Sequence, residues 1–209
     1  MQAMNASVKD WKPAIRHLCK VEPRFAPLVK QHGLPTMAPA RDLYGSLGRA
    51  IVYQQLSGKA AATILGRVQA ALGSPKTFPK ASVLVRAEMP VLRGAGLSQA
   101  KALALLDLAA RVEDGRLDLR KARQLPHAQL VETLTAVRGI GPWSADMFAM
   151  FALARPDVFA YGDLGVKKGL QKFLGLRQLP TEGVMAKHSA AWAPWRSAAG
   201  WYMWRVLES

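Results

Sequence analysis

The chain reads as all-α, on three observations. Apolar residues recur at helical spacing almost throughout. Clusters of Pro and Gly separate these segments at loop-like intervals. No alternating apolar and polar stretch is long enough to read as a strand. At 209 residues, with 50% hydrophobic and 21% charged, the chain can bury a sizeable core in one or two lobes.

In chain order, a helical pattern runs over Asp42–Leu72 and is interrupted at Gln55-Leu56-Ser57-Gly58. Ser57 or Gly58 can cap a fresh helix beginning at Lys59, which puts Gln55 and Leu56 in a tight turn between two helices. Over Gln99–Val112, Leu105, Leu108, Ala109 and Val112 form one stripe, widened by Leu103 and Leu106. Leu130, Leu134 and Val137 mark the next helix. Trp143, Met147, Met150 and Phe151 mark another, and Val166, Leu170, Phe173 and Leu174 a further one. Loops are expected at Pro35 to Pro39, Gly73 to Pro75, Gly94 to Gly96, Arg155-Pro156 and Gly175 to Gly183. There is no internal repeat and no low-complexity tract.

Lys and Arg outnumber Asp and Glu by 29 to 14, a formal charge of +15. Such an excess favours a polyanion, and nucleic acid over membrane. The basic residues are dispersed, which suits a folded basic face better than a cationic tail. Cys19, the only cysteine, leaves no disulfide framework, thiolate zinc site or four-cysteine iron–sulfur cluster. It reads as a small buried residue in a reducing cytoplasm. Met1 to Lys12 lacks the apolar core of a signal peptide, and no run reaches the ~18 residues of a membrane span.

The chemistry concentrates in Leu134-Thr-Ala-Val-Arg-Gly-Ile-Gly-Pro-Trp-Ser-Ala145 and Tyr161-Gly-Asp-Leu164. A Gly-x-Gly turn between helices exposes backbone N–H groups with no side chains in the way, a cradle for one phosphate. Glycines at helix ends are also ordinary caps. Pro142 in the first turn of an apolar helix makes the pattern more specific for a helix-hairpin-helix phosphate binder at Gly139 and Gly141. Asp163 lies 22 residues beyond Gly141. Its plain role is to cap the helix that follows. Capping is compatible with catalysis, because a helix N-terminus with Lys167 and Lys168 in the next turn favours the ionised carboxylate. An ionised carboxylate can stabilise an oxocarbenium-like sugar or orient water against it. Trp192, Trp195, Trp201 and Trp204 fall within thirteen residues, with Trp143 beside the hairpin. Each alone suits a core; together they can line a slot for a flipped base, with π faces that favour a cationic purine.

Three runs now coincide: Gly139-Ile-Gly-Pro-Trp-Ser-Ala145, Asp163-Leu-Gly-Val166 at its 22-residue step, and Trp192-Ala-Pro-Trp-Arg-Ser197. They resemble the helix-hairpin-helix (HhH-GPD) DNA glycosylase superfamily, and most its 3-methyladenine DNA glycosylase II, or alkylation-repair, branch. Ile51-Val-Tyr-Gln-Gln-Leu-Ser-Gly-Lys-Ala-Ala61 and Gly96-Leu-Ser-Gln-Ala-Lys-Ala102 agree, so the resemblance spans roughly residues 44 to 205.

The resemblance implies a catalytic Asp163. It implies a base pocket at Trp143, Trp204, Met147 and Tyr53, a duplex wedge at Leu56 with Gln55, and phosphate contacts at Gly139, Gly141 and Ser144. The carbonyls of Val137 and Ile140 can hold a monovalent cation; no catalytic metal and no cofactor are expected. Two lobes follow: 44–161 with the hairpin at about 126–154, and 1–43 with 162–209, the cleft between them and no N-terminal β domain. The implied activity is hydrolysis of N-glycosidic bonds to alkylated purines in double-stranded damaged DNA by a monomeric, cytoplasmic enzyme, nucleoid-associated if bacterial. Three departures bear on this. Met147 stands where a relative has a pocket tyrosine, Gly162 replaces the second carboxylate of an Asp-Asp pair, and Trp143 occupies the Schiff-base lysine position of bifunctional relatives. Without that lysine no lyase chemistry is expected. The alternatives are a glycosylase for an oxidised or deaminated base, and a non-catalytic DNA-binding module.

Overall fold

The computed structural model describes residues 10–208, and among them every regular element is helical. The expectation of no leader in Met1 to Lys12 lies, for residues 1–9, outside the described residues. No helix among the described residues is long and apolar enough to cross a membrane.

The chain divides into two compact units, one formed by residues 40–145 and the other by residues 1–39 with 146–209. The second unit therefore resumes at Asp146, where residue 162 was expected.

The second unit opens with α1 (Lys12–Val21) and α2 (Phe25–His32). The continuous unit then follows with α3 (Leu43–Tyr53), α4 (Gly58–Ala71), α5 (Ala81–Leu84), α6 (Met89–Gly94), α7 (Gln99–Glu113), α8 (Leu119–Ala122), α9 (His127–Thr135) and the start of α10 (Pro142–Met147). Its centre is α7, which packs against α3, α5 and α6. Of the predicted stripe of α7, Leu105, Leu108 and Ala109 are inaccessible, whereas Leu103, Leu106 and Val112 are half-buried and Ala102 and Ala104 complete the buried face. Polar caps start three of these helices: Ser57, as the sequence suggests, accepts from Ala60 N–H at 3.4 Å, and Asp42 accepts from Gly45 at 2.8 Å and Ser98 from Lys101 at 3.2 Å. With Ser57 as the cap, α4 begins at Gly58.

In the other unit a π-helical stretch, Phe148–Ala152, is followed by α11 (Leu164–Leu174), α12 (Glu182–Ser189), a 3₁₀ turn at Ala190–Trp192 and α13 (Arg196–Val206). Here α13 packs on α11 and also touches α1 and α2. The rings of Phe25, Phe159, Phe173, Trp192 and Tyr202 meet at 4.8–6.1 Å, mostly edge to face, an arrangement that adds to their area burial.

One expected stripe is corrected. Trp143, Met147, Met150 and Phe151 do not share a buried face: Met150 is inaccessible, whereas Trp143 is 47% exposed and Phe151 42%. The π turn is the reason for Phe151. Its wider i→i+5 ladder rotates side chains off the 3.6-residue register on which the stripe was read.

Candidate active site

Asp163 is the N-cap of α11, as its position suggests, and only 9% exposed. Its Oδ1 accepts from Val166 N–H at 2.7 Å and from Trp204 Nε1–H at 2.9 Å. These two bonds hold the carboxylate at the helix N-terminus in one orientation. Trp204 can come this close because residue 165 is glycine. A Cβ there would lie 2.7 Å from the indole Cδ1, 2.9 Å from Nε1 and 3.0 Å from Asp163 Oδ1. One turn on, a Cβ at Gly169 would run into the Met203 carbonyl. Two glycines a turn apart thus let the backbone of α13 settle against α11.

The loop that delivers Asp163 is clamped by the Trp192–Ser197 run. Asp157 and Arg196 pair through two bonds, Nε to Oδ1 at 2.6 Å and Nη2 to Oδ2 at 2.7 Å, with the aspartate side chain only 2% exposed. That pairing holds the Arg196 guanidinium above its ordinary value. Ser197 Oγ accepts from Val158 N–H at 2.9 Å and donates to Val158 O at 3.1 Å, while Ser197 N–H donates to Pro156 O at 2.9 Å. Arg155, in the same loop, is 1% exposed, and burial lowers its guanidinium to about 10.

The tryptophans separate by burial, so not all of those clustered in the sequence can line a slot. Trp192 and Trp201 are 2% and 4% exposed and belong to the core. Trp204 is half-buried, and Phe151 lies beside it with ring centroids 5.7 Å apart and planes 33° apart. Met147 ends α10, half-buried.

In the continuous unit, Gly139 is exposed with φ +77°, a left-handed conformation that turns the chain between α9 and α10. Val137 and Ile140 are buried on either side of it, at 1% and 5% exposure. Gly141 has open space where a side chain would stand. The hairpin is braced from below by Asp107, whose Oδ2 accepts from Arg138 N–H at 2.8 Å and Arg111 Nε at 2.9 Å. Burial pushes the Asp107 carboxyl up, but these two donors outweigh it and hold the carboxyl below its ordinary value. The Val137 carbonyl accepts Ile140 N–H at 3.1 Å. A carbonyl has a second lone pair, so this turn fits a cation at Val137 and Ile140 without requiring one.

Tyr53 and Leu56 are 40% and 39% exposed, and Gln55 between them is left-handed at φ +55°. The turn forms where expected. Gln54, which sequence reasoning passed over, ties it to the hairpin: its Nε2 donates to Gly139 O at 2.9 Å and reaches Ser144 Oγ at 3.4 Å. Also unassigned were Lys101, Gly165, Asp157 and Phe151. Of these only Lys101 carried a visible signal, a cation in the first turn of a helix, the wrong end for its charge.

A glycine turn open to an anion, in a strongly basic chain whose second unit holds a fixed carboxylate, defines a helix-hairpin-helix protein equipped for chemistry. The family model "HhH-GPD superfamily base excision DNA repair protein" matches residues 49–194, and the chain belongs to that superfamily, in its 3-methyladenine DNA glycosylase branch. It is 32% identical over 198 residues to the DNA-3-methyladenine glycosylase 1 of Schizosaccharomyces pombe, covering 92% of this chain and 86% of that protein. A DNA-3-methyladenine glycosidase structure from Bacillus halodurans superposes with a TM-score of 0.84 at 33% identity, over 93% of this chain and 88% of the other. An S. pombe 3-methyladenine DNA glycosylase in complex with abasic DNA gives 0.82 at 31% identity, over 95% and 98%.

Proposed function

We propose that this chain is a monofunctional DNA glycosylase that excises alkylated purines, of the 3-methyladenine and 7-methylguanine type, from double-stranded DNA in base excision repair, working as a monomer. The observation that carries the proposal is Asp163: a buried carboxylate fixed by Val166 N–H and Trp204 Nε1–H, in a chain of this superfamily.

Alkylation at N3 or N7 leaves the purine cationic. The N-glycosidic bond then breaks with its electron pair moving to the base, which departs neutral. Positive charge passes to the sugar, where the Asp163 carboxylate stabilises it and orients the water that adds at C1′. The water's proton goes to solvent and an abasic site remains. Trp204 and Met147 in one unit, and Trp143 and Tyr53 in the other, are the residues assigned to the extruded base, and a cationic base is attracted to the π faces of the aromatic ones. The amides of Gly139 and Gly141 with Ser144 hold a backbone phosphate, and a monovalent cation at the Val137 and Ile140 carbonyls would reinforce that grip. Leu56, with Gln55, fills the gap left in the stack. Trp143 in place of a lysine leaves no amine for a Schiff base there, so strands remain intact.

The test is base release from duplexes bearing 3-methyladenine, 7-methylguanine, hypoxanthine, 1-methyladenine or uracil. Release of the first two is expected, with a loss of roughly 10²–10⁴-fold in Asp163→Asn and little change in its duplex affinity. Release of only a deaminated or oxidised base would move the chain to another lesion, and no release at all would make it a binding module. Strands should break only after alkali or heat; a covalent adduct trapped by borohydride would overturn the monofunctional reading.

A further inference from the structure

Lys101 stands in the first turn of α7, where the helix's own N–H groups make a cation unfavourable. Its ammonium group nevertheless does not point away. Nζ donates to Val52 O at 2.7 Å and to Gln54 O at 2.6 Å, so it closes the C-terminal end of α3, the end at which a cation is favoured. Two short bonds from a charged donor are among the stronger local restraints available. The group is half-buried, and burial lowers its pKa.

The residue restrained at its carbonyl, Gln54, is itself bonded through its side chain to Gly139 O and Ser144 Oγ. Immediately after it the chain takes the left-handed Gln55 and the exposed Leu56. The order is therefore continuous: ammonium on the end of α3, Gln54 on the hairpin, then the turn that presents Leu56. We infer that Lys101 and Gln54 are positioning residues for the duplex wedge, a strut that sets Leu56 at a fixed place relative to the phosphate grip. The inference rests on the proposed roles of Leu56 and the hairpin. It removes one lysine of a strongly basic chain from the set that meets DNA phosphates.

The strut predicts a signature that neither a phosphate contact nor a plain structural lysine shares. Lys101→Met keeps the aliphatic stem and removes the donors. Excision from a stably paired duplex should fall about tenfold, in line with losing charge-assisted bonds. Excision of the same lesion in a mismatch should fall much less, since less extrusion energy then has to be offset. The salt slope of binding to undamaged duplex should be unchanged. Lys101→Arg, which can still reach two carbonyls, should recover most of the activity, and Lys101→Met should cost little further in a Leu56→Ala background. A 2-aminopurine beside the lesion should report the same loss of base extrusion.

A salt slope lower by about 0.9 in Lys101→Met would make the lysine a phosphate contact and overturn the inference. So would an equal loss on paired and mismatched substrates with a lowered melting temperature. Leu56→Ala keeps the two readings apart. If it shows the paired-duplex defect and Lys101→Met does not, the strut fails and the wedge stands. If Leu56→Ala shows no such defect, the wedge reading fails and the strut with it.

Discussion

Two pairs of glycines, one in each unit, look alike in the sequence and do opposite work. At the hairpin, Gly141 has no atom within 4 Å of where a Cβ would stand, and Gly139 meets only the Ala104 methyl, at 3.1 Å. At the start of α11, Gly165 and Gly169 are filled from outside by the Trp204 ring and the Met203 backbone. The first pair leaves space open beside the chain; the second has given its space to another helix. A missing side chain is therefore no signal of function until its neighbourhood is known. In this protein the crowded pair shapes the surroundings of the Asp163 carboxylate, and the open pair shapes the hairpin turn proposed to hold a phosphate.

Alanine at each of the four positions separates the pairs, and the expected effects fall in order. Gly169→Ala should be the most destabilising, by about 3 kcal/mol, because the methyl meets a backbone carbonyl that cannot turn aside. The roughly 1 kcal/mol that alanine gains in a helix does not offset such an overlap. Urea unfolding measures it, and a neutral or stabilised variant would show that the two helices do not need this approach.

Gly165→Ala should cost less stability, about 1–2 kcal/mol, because a side chain can shift where a backbone cannot. What it displaces is the Trp204 ring and an Asp163 oxygen, so base release in single turnover should drop about tenfold with duplex affinity kept. Loss of affinity without loss of rate would place the crowding away from the chemistry.

At the hairpin, Gly139→Ala should lose roughly 1–2 kcal/mol, the cost of a left-handed alanine. Gly141→Ala should change stability by less than about 0.5 kcal/mol, having neither crowding nor a left-handed backbone to strain. Its effect should appear only in DNA binding, as an equal loss on damaged and undamaged duplexes, since a phosphate contact carries no base information. Unchanged affinity on both would break the contrast at its open end.

The sequence alone determined helices with a clear apolar stripe, such as α7 and α11, the turn at Gln55-Leu56, the glycine turn after α9 and Asp163 as the cap of α11. Each rests on groups within about four residues of one another: a cap bonds the third residue on, and a stripe repeats every turn. Only tertiary structure decided which oxygen of Asp163 meets Trp204, 41 residues away, that Arg196 grips Asp157 across 39, and that Lys101 reaches Val52 and Gln54 across 49 and 47. It also decided which neighbouring tryptophan bonds Asp163 and which two are core. Trp192, Trp201 and Trp204 carry the same side chain, and Trp201 and Trp204 share one helix. Their roles differ because the packing of α13 on α11 depends on where two glycines let a backbone through, and no periodicity along the chain encodes that distance.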